Sequence, residues 1–484
     1  MADPPTLPFP AVGAADASTT AADLAAVVGA HVVGDPGVVI AGLTHDSARV
    51  LDGSLFCCVV GERFDGHNFA AAAVSAGASA LLVERQLPLD ATQIVVADSR
   101  IAMGPIADAF WGHPSGDVAV VGVTGTNGKT TTVTLVQHLL SELGVRCGVI
   151  GTLTGSRTTP EAPDLQAQLR SFGNAGASVV AMEVSSHALA LHRVDGTRFA
   201  VAVFTNIGVD HLDFHETQER YFEAKARLFD SRFTDLGLVN IDDVHGRLLR
   251  DAATIRIDGF GLSDVSDLRL APTGSSFRWR GHQVRLPLAG RFNVSNALAA
   301  AEAVVSLGHD AADVAEALGT VSAPPGRFEI IDRGQPFTVV VDYAHTPDAL
   351  ANLLSAAGEL VEGGRLRVVF GCGGDRDRGK RPQMGAVACE VADDVTLTSD
   401  NPRSEDPAAI IAAVKSGCTK PVDIEIDRLT AIETVLAAAG DGDVVVIAGK
   451  GHETTQTTGS VVAAFDDREV ADFWLRRHGW STPA

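Results

Sequence analysis

The stretch Val118 to Thr132, VAVVGVTGTNGKTTT, constrains this chain more than any other. Val118 to Val123 are apolar and mostly β-branched, which predicts a buried strand. Val133, Val136, Leu139, Leu140 and Leu143 then recur at helical spacing. Between them lies a Thr- and Gly-rich turn. Glycines let backbone N–H groups approach an anion, and the following helix presents unsatisfied donors and a positive dipole end. Gly122, Thr124, Gly125, Thr126, Asn127, Gly128, Lys129, Thr130 and Thr131 are therefore candidate phosphate-binding positions. Lys129 would reach the terminal phosphates and the Thr130 hydroxyl a magnesium ion. Gly122 and Gly128 lie six positions apart, one more than the strict phosphate-loop pattern. An ordinary glycine-rich connection is the competing reading, and the Gly-Lys-Thr ending argues against it.

A chain of 484 residues exceeds one hydrophobic core, and at about 150 residues per domain it divides into roughly three. Hydrophobic content of 46% with 49 glycines fits compact α/β architecture. A net charge of −22 argues against a nucleic-acid partner or an anionic membrane surface. No Lys or Arg precedes Arg49 and no apolar run could span a bilayer, so the expectation is a cytoplasmic protein without membrane insertion. Cys57, Cys58, Cys147, Cys372, Cys389 and Cys418 lack metal-ligand or disulfide-framework spacing and read as free thiols.

Lysine usage is informative. Only Lys129, Lys225, Lys380, Lys415, Lys420 and Lys450 occur among 38 basic residues. Where arginine serves most surface needs, a lysine can mark chemistry that a guanidinium cannot do, such as tuning its pKa. Biased codon usage is the plainer explanation for any one of them.

Along the chain, residues 1–108 read as a small α/β domain with a helix over Ala21 to Ala30 and turns near Gly53, Gly61 and Gly66. Residues 109–326 alternate strands and helices, which predicts a mostly parallel sheet. Strands over Ser178 to Met182 and Val201 to Phe204 end at Glu183 and at Thr205-Asn206, and ligands gather at the carboxyl ends of such strands. Glu183 suits magnesium as a hard oxygen ligand. TNIGVDHLDFH clusters Asn206, Asp210, His211, Asp213 and His215, although satisfied turn residues would read the same way. Lys225 sits on the next helix beside an apolar face. From 327 to 484, several apolar strands run into Gly-, Asp- and Arg-rich turns, a second doubly wound domain.

TGTNGKTTT, MEVSSHAL, FTNIGVDHLDFH, EAKARLF, GRFNVSNALAA, PGRFE, DYAHTPDAL, GCGGDRDRGKRP, SDNPR and GKGHE, in this order, resemble the Mur ligase family over nearly the whole chain. The resemblance implies three domains: a small N-terminal α/β domain for a UDP moiety, a central P-loop ATPase with a mostly parallel sheet, and a C-terminal Rossmann-like domain that brings an amino acid. It also implies a reaction in which ATP phosphorylates an acceptor carboxylate and an amine attacks the acyl phosphate. The cofactors expected are ATP and Mg2+. The expected acceptor is UDP-N-acetylmuramoyl-L-alanyl-D-glutamate, the amine is that of meso-diaminopimelate, and the enzyme is expected to be a monomer.

Carried over by motif, Thr130, Glu183, His211 and Lys225 resemble metal-site residues, and Lys225 matches a lysine that the family carbamylates. Lys129, Lys225, His211 and Arg327 are the expected catalytic group. Asn293, Asn296, Asp342, Tyr343, His345 and Asp348 resemble nucleotide-side positions. His45, Ser47, Glu62, Arg63 and Phe64 match a uridine pocket, and Thr158, Thr159, Ser185 and Arg193 match contacts to pyrophosphate and muramoyl groups. Arg376, Asp400, Asn401, Pro402, Arg403, Gly449 and Glu453 match the amino-acid site. Leu191 departs from the family, standing where many relatives have glutamine. Arg403 suits the distal carboxylate of diaminopimelate, which lysine lacks. Ligation of L-lysine, of another acceptor, or a phosphate-loop switch or motor are the alternatives.

Overall fold

The computed structural model describes residues 19–61, 64–155, 157–271 and 273–481. In the first part, Gly42–Thr44, Ser54–Cys57, Ala80–Val83 and Thr92–Val95 pair in parallel, and His31–Val33 adds an antiparallel edge. The helix expected over Ala21 to Ala30 spans Ala21–Val27, started by a capping box between Thr20 and Asp23. It packs with Ser99–Phe110.

The second part is built on a six-stranded parallel sheet, ordered Arg256–Phe260, Leu236–Asn240, Val201–Phe204, Ala119–Thr124, Val179–Glu183, Cys147–Ile150. Ala119–Thr124 is central, and its valines are buried on both faces, as a parallel sheet covered by helices requires. Helix Lys129–Glu142 follows directly and buries Val133, Leu135, Val136, Leu139 and Leu140. Against it lies Arg291–Ser306, whose buried Ala297, Ala299, Ala300, Ala301 and Ala303 allow two helix backbones to approach closely. One element departs from the expected strand–helix alternation. Val265–Ala271, Gly274–Trp279 and His282–Leu286 form a separate antiparallel sheet that buries Phe277 and Trp279 in the same core.

The third part is a six-stranded sheet ordered Glu329–Ile330, Thr338–Asp342, Val444–Ala448, Leu366–Phe370, Asp394–Leu397, Asp423–Ile424. All its pairs are parallel except the first. After Val444–Ala448 the chain makes a hairpin, Thr455–Thr458 with Val461–Ala464, rather than entering a helix at once.

The connection between the second and third parts is tightly packed. Phe292 and Phe328 meet edge-on with centroids 5.2 Å apart. The Phe328 N–H donates to Asp342 at 2.7 Å, and the Gly326 N–H donates to Glu329 at 2.6 Å. Gly326 has φ +62°, and a Cβ there would lie 2.1 Å from the Gly451 carbonyl carbon. Both the backbone and the space at this position demand glycine. Gly326→Ala is expected to destabilise the protein by about 1–3 kcal/mol, lowering the calorimetric melting temperature. Gly116→Ala, where a Cβ meets nothing within 4 Å, should leave it unchanged.

Candidate active site

The carboxyl ends of both six-stranded sheets open on one cavity of about 380 Å³. Thr126 to Thr131, Thr152, Thr158, Glu183, Ser185, Asn206, Asp210, His211 and Asn296 line it from the second part. Arg327, Asp342, Tyr343 and His345 line it from the third.

The glycine turn is held from behind. Thr205 Oγ1 donates to the Asn127 carbonyl at 2.6 Å, and Asn206 Oδ1 accepts from the Asn127 N–H at 3.0 Å. Gly128 has φ +85°, and a Cβ there would lie 2.3 Å from Asn296 Oδ1. The helix therefore begins against an amide side chain, with its first N–H groups at the cavity. Lys129 Nζ folds back to donate to the Gly125 and Thr126 carbonyls, each at 2.9 Å. Burial holds the Lys129 ammonium below its usual pKa, while Glu183 and Asp210 act in the other direction.

Thr130 Oγ1 donates to Glu183 Oε2 at 3.0 Å. The same carboxylate accepts from the Thr152 N–H at 2.8 Å and the Thr152 hydroxyl at 3.3 Å. Two hard oxygen donors thus sit side by side at the ends of a helix and a strand. No group of three or more His, Cys, Asp or Glu placed to hold a metal occurs among the described residues. Such a sparse set suits Mg2+, which takes one or two carboxylates and fills its octahedron with water and substrate phosphate oxygens.

Lys225 is fully buried, with Nζ donating to the Gly125 carbonyl at 2.8 Å and lying 4.6 Å from the Tyr221 ring centroid. Two lysines therefore share one carbonyl oxygen. Burial, then the Lys129 charge, push the Lys225 pKa well below the ordinary lysine value, with Asp210 opposing.

His211, in left-handed backbone with φ 54°, stands 3.2 Å from Asp210 and edge-on to His187 at 4.6 Å. TNIGVDHLDFH is more than a loop, since Leu212–His215 is a short helix. His215 turns inward, its Nε2 2.9 Å from Ser186 Oγ.

From the third part, Arg327 Nη2 donates to Thr130 Oγ1 at 3.2 Å, and the guanidinium lies 4.4 Å from the Tyr343 ring centroid. Burial raises the Tyr343 pKa. Glu453 and Asp400 raise it further, while Arg327 and Arg376 oppose. Tyr343 thus feels the charges of the turns at the other strand ends. There Asn401 Nδ2 donates to Glu453 at 2.7 Å, and Lys450 Nζ reaches Glu453 at 3.2 Å, the Thr455 carbonyl at 2.6 Å and Asn401 Oδ1 at 3.4 Å. Arg403, with φ 50°, donates to the Gly374 carbonyl at 2.8 Å. Gly449 is needed at φ +113°, where a Cβ would come 2.7 Å from Asp400 Oδ2.

Several positions named from the sequence stand elsewhere. Gly122 is not at the phosphate turn but inside the strand, where a Cβ would strike the Phe199 ring at 2.5 Å, so packing accounts for it. Thr124 is buried in the same strand, with its N–H partner Thr205 donating to its carbonyl at 3.0 Å. Asn293 donates to the Ala289 carbonyl at 2.9 Å rather than lining the cavity. Asp348 accepts from the Val209 N–H, joining the second and third parts. Arg376 is exposed and Pro402 buried.

On the first part's side, Arg193 pairs with Glu161 at 2.9 Å, Thr159 Oγ1 donates to the Glu183 carbonyl at 2.8 Å, and Thr158 lies 3.1 Å from the Thr152 hydroxyl. His45 Nδ1 is buried without a hydrogen-bond partner among the described residues, and Ser47 begins a short 3-10 turn. Phe64 is exposed against Phe69. Glu62 and Arg63 lie outside the described residues. Leu191 caps the end of helix Ser186–Ala190. Lys450 was not singled out from the sequence as a site residue, although its place among six lysines and beside Gly449 is a signal; Tyr221 and Thr152 carried none.

His211, His215 and His452 each have their pKa lowered to about 4, burial being the main cause. An unfolded histidine protonates near 6.5, so between about 6.5 and 4 the unfolded chain binds protons that these folded rings refuse. Stability is fully present above about pH 6.5 and falls as pH drops towards 4. Melting temperatures across this range should show that slope, less steeply in His452→Gln.

Residues 39–110 match the Mur ligase family catalytic domain, 123–304 the Mur ligase middle domain, and 326–451 the Mur ligase glutamate ligase domain. The UDP-N-acetylmuramoyl-L-alanyl-D-glutamate–2,6-diaminopimelate ligase of Geobacillus kaustophilus is 43% identical over 477 residues, covering 93% of this chain and 97% of the relative. The ligase of the same name from Streptomyces coelicolor is 42% identical over 498 residues, covering 96% and 98%. A solved structure of a ligase with this name superposes with a TM-score of 0.65 at 36% identity, covering 90% of this chain and 95% of the other. MurF from Acinetobacter baumannii, at 23% identity and a TM-score of 0.64, shares the fold over 89% of this chain and 95% of its own.

Proposed function

This chain belongs to the Mur ligase family, and from that premise we infer that it is an ATP-dependent amide ligase of peptidoglycan precursor synthesis. It joins 2,6-diaminopimelate, in the meso form, to the D-glutamate of UDP-N-acetylmuramoyl-L-alanyl-D-glutamate. One observation carries the reading beyond the names of relatives. Arg327 touches Thr130 of the glycine turn and stacks on Tyr343, which in turn feels Asp400, Arg376 and Glu453. This contact supports a reading in which a phosphate site faces an amino-acid site, as bond formation requires and a nucleotide switch does not.

In the division we propose, residues 1–108 bind the UDP end of the acceptor, 109–326 bind ATP, and 327–484 bring the amino acid. Backbone N–H groups from Asn127 to Thr131 cradle the phosphates, and Lys129 swings from the carbonyls it now holds to the transferring group. Thr130 and Glu183, with His211 on the acceptor side, would hold Mg2+, which when bound neutralises phosphate charge. Transfer of the γ-phosphoryl group converts a carboxylate oxygen, a poor leaving group, into phosphate. The incoming amine adds to the acyl carbon, and phosphate departs as the C–N bond is completed. Arg327 stabilises charge on the phosphoryl oxygens, and the two sets of strand ends align amine and acyl phosphate. ATP with a UDP-linked acceptor supports a cytoplasmic location.

Lys225 is assigned a carbamate. Carbon dioxide adds to a neutral amine, giving an N–COO⁻ group and releasing one proton. Burial, then the Lys129 charge, shift Lys225 towards that neutral form, and an arginine could not form the product. Lys225→Ala is expected to lose most ligase activity, and Lys225→Arg should not restore it. Near-normal turnover in either variant would remove the assignment.

Arg403 and Glu453 are assigned the distal carboxylate and ammonium of diaminopimelate. A guanidinium grips a carboxylate through two parallel hydrogen bonds, and its burial without that partner costs binding to lysine. Product formation with meso-diaminopimelate, L-lysine and L-ornithine, measured side by side, tests the activity. Only the first should give efficient, acceptor-dependent phosphate release. In Arg403→Ala, kcat/KM for diaminopimelate should fall about a hundredfold, and an unchanged value would refute the assignment.

A further inference from the structure

Beneath the amino-acid site lies an ion pair that the mechanism above does not use. Arg428, the first residue of helix Arg428–Ala437, and Asp467, the first of Asp467–Arg477, are both fully buried. Arg428 Nε and Nη2 each donate to the Asp467 carboxylate at 2.7 Å. Two further N–H groups point at backbone. Nη1 donates to the Ser399 carbonyl at 3.2 Å, and Nη2 to the Ala448 carbonyl at 3.0 Å.

Those two carbonyls are significantly placed. Ser399 immediately precedes Asp400, and Ala448 immediately precedes Gly449. They belong to the segments leaving Asp394–Leu397 and Val444–Ala448, strands that do not pair with each other because Leu366–Phe370 lies between them. No sheet hydrogen bond can therefore set the spacing of the two segments directly, and one planar guanidinium spans it. The segments meet just above, where Asp400 Oδ2 is 2.7 Å from the position of a Gly449 Cβ, and Asn401 reaches Glu453 at 2.7 Å.

A buried ion pair is a poor device for stability alone, because desolvation offsets most of the attraction and well-packed apolar residues often do as well or better. Its fork geometry, by contrast, fixes direction and distance. We propose that Arg428, anchored by Asp467, is a positioning residue for amino-acid selection. It sets the separation of the Asp400–Arg403 and Gly449–Glu453 turns, so that the distal carboxylate and ammonium are engaged together. The proposal rests on the ligase reading above.

The test is steady-state kinetics of the full chain with each substrate varied in turn. Arg428→Met/Asp467→Leu replaces the pair by apolar side chains and should remain folded. Its KM for meso-diaminopimelate should rise about tenfold, the scale of a lost hydrogen bond to a charged group, with KM for ATP and for the UDP-linked acceptor unchanged. Arg428→Lys keeps the charge without the fork and should show a smaller rise of the same kind, which serves as the reading if the double variant fails to fold. An unchanged KM for diaminopimelate, or an equal change for all three substrates, would overturn the proposal. Wild-type protein run alongside separates the two readings, since absence of diaminopimelate-dependent phosphate release there would overturn the ligase assignment itself.

Discussion

The contact on which this architecture turns is the Arg327 guanidinium, hydrogen-bonded to Thr130 on one side and stacked on Tyr343 on the other. Each such interaction contributes about 0.5–2 kcal/mol, small beside the burial that holds either domain together. The contact can therefore break and reform without unfolding either part, while its direction is set by the Gly326 turn, the Phe292–Phe328 pair and the Phe328–Asp342 hydrogen bond. A ligase needs that combination. Substrates must enter an open cleft, and the amine must afterwards meet the acyl phosphate in a closed one.

Electrostatics inside the cleft follow from burial more than from net charge. In a chain of net charge −22, Lys129, Lys225 and Arg327 are gathered around a few backbone carbonyls and two carboxylates. Lys129 and Lys225 both donate to Gly125 O, and their mutual repulsion in a dry site favours loss of a proton from one of them. Desolvation likewise lowers the His211 pKa to about 4, so the ring is neutral at neutral pH. One local arrangement thus disfavours the charged form of both a lysine and a histidine.

The amino-acid end depends on a different constraint. Parallel strands deliver their turns to one edge of the sheet but leave the spacing between non-neighbouring turns free. Here side chains supply it: Asn401 with Glu453 and Lys450 above, Arg428 with Asp467 below. The hairpin after Val444–Ala448 adds a third restraint, with the Arg403 N–H donating to the Thr457 carbonyl at 3.0 Å and Gln456 Nε2 donating to the Asp400 carbonyl at 2.7 Å. Arg403 is thereby held in left-handed backbone, a conformation that a non-glycine residue adopts at some cost.

Local pattern was enough for the glycine turn, because strand, turn and helix there are contiguous and their geometry follows from φ freedom and helix-end donors. It was also enough for the parallel sheets, read from apolar strands ending in polar turns, and for the marked use of lysine at Lys129 and Lys225. Periodicity could not reveal that Val265–Ala271 to His282–Leu286 make an antiparallel sheet within a parallel domain, since short alternating segments look alike in either setting. Nor could spacing show that Gly122 answers to Phe199, that Asp348 holds the Val209 N–H, or that Lys450 underlies Glu453. Chemistry carried by neighbours along the chain was written in the sequence itself. Whatever depends on residues far apart in the chain converging on one oxygen, as Lys129 and Lys225 do at Gly125, was decided only when the sheets packed.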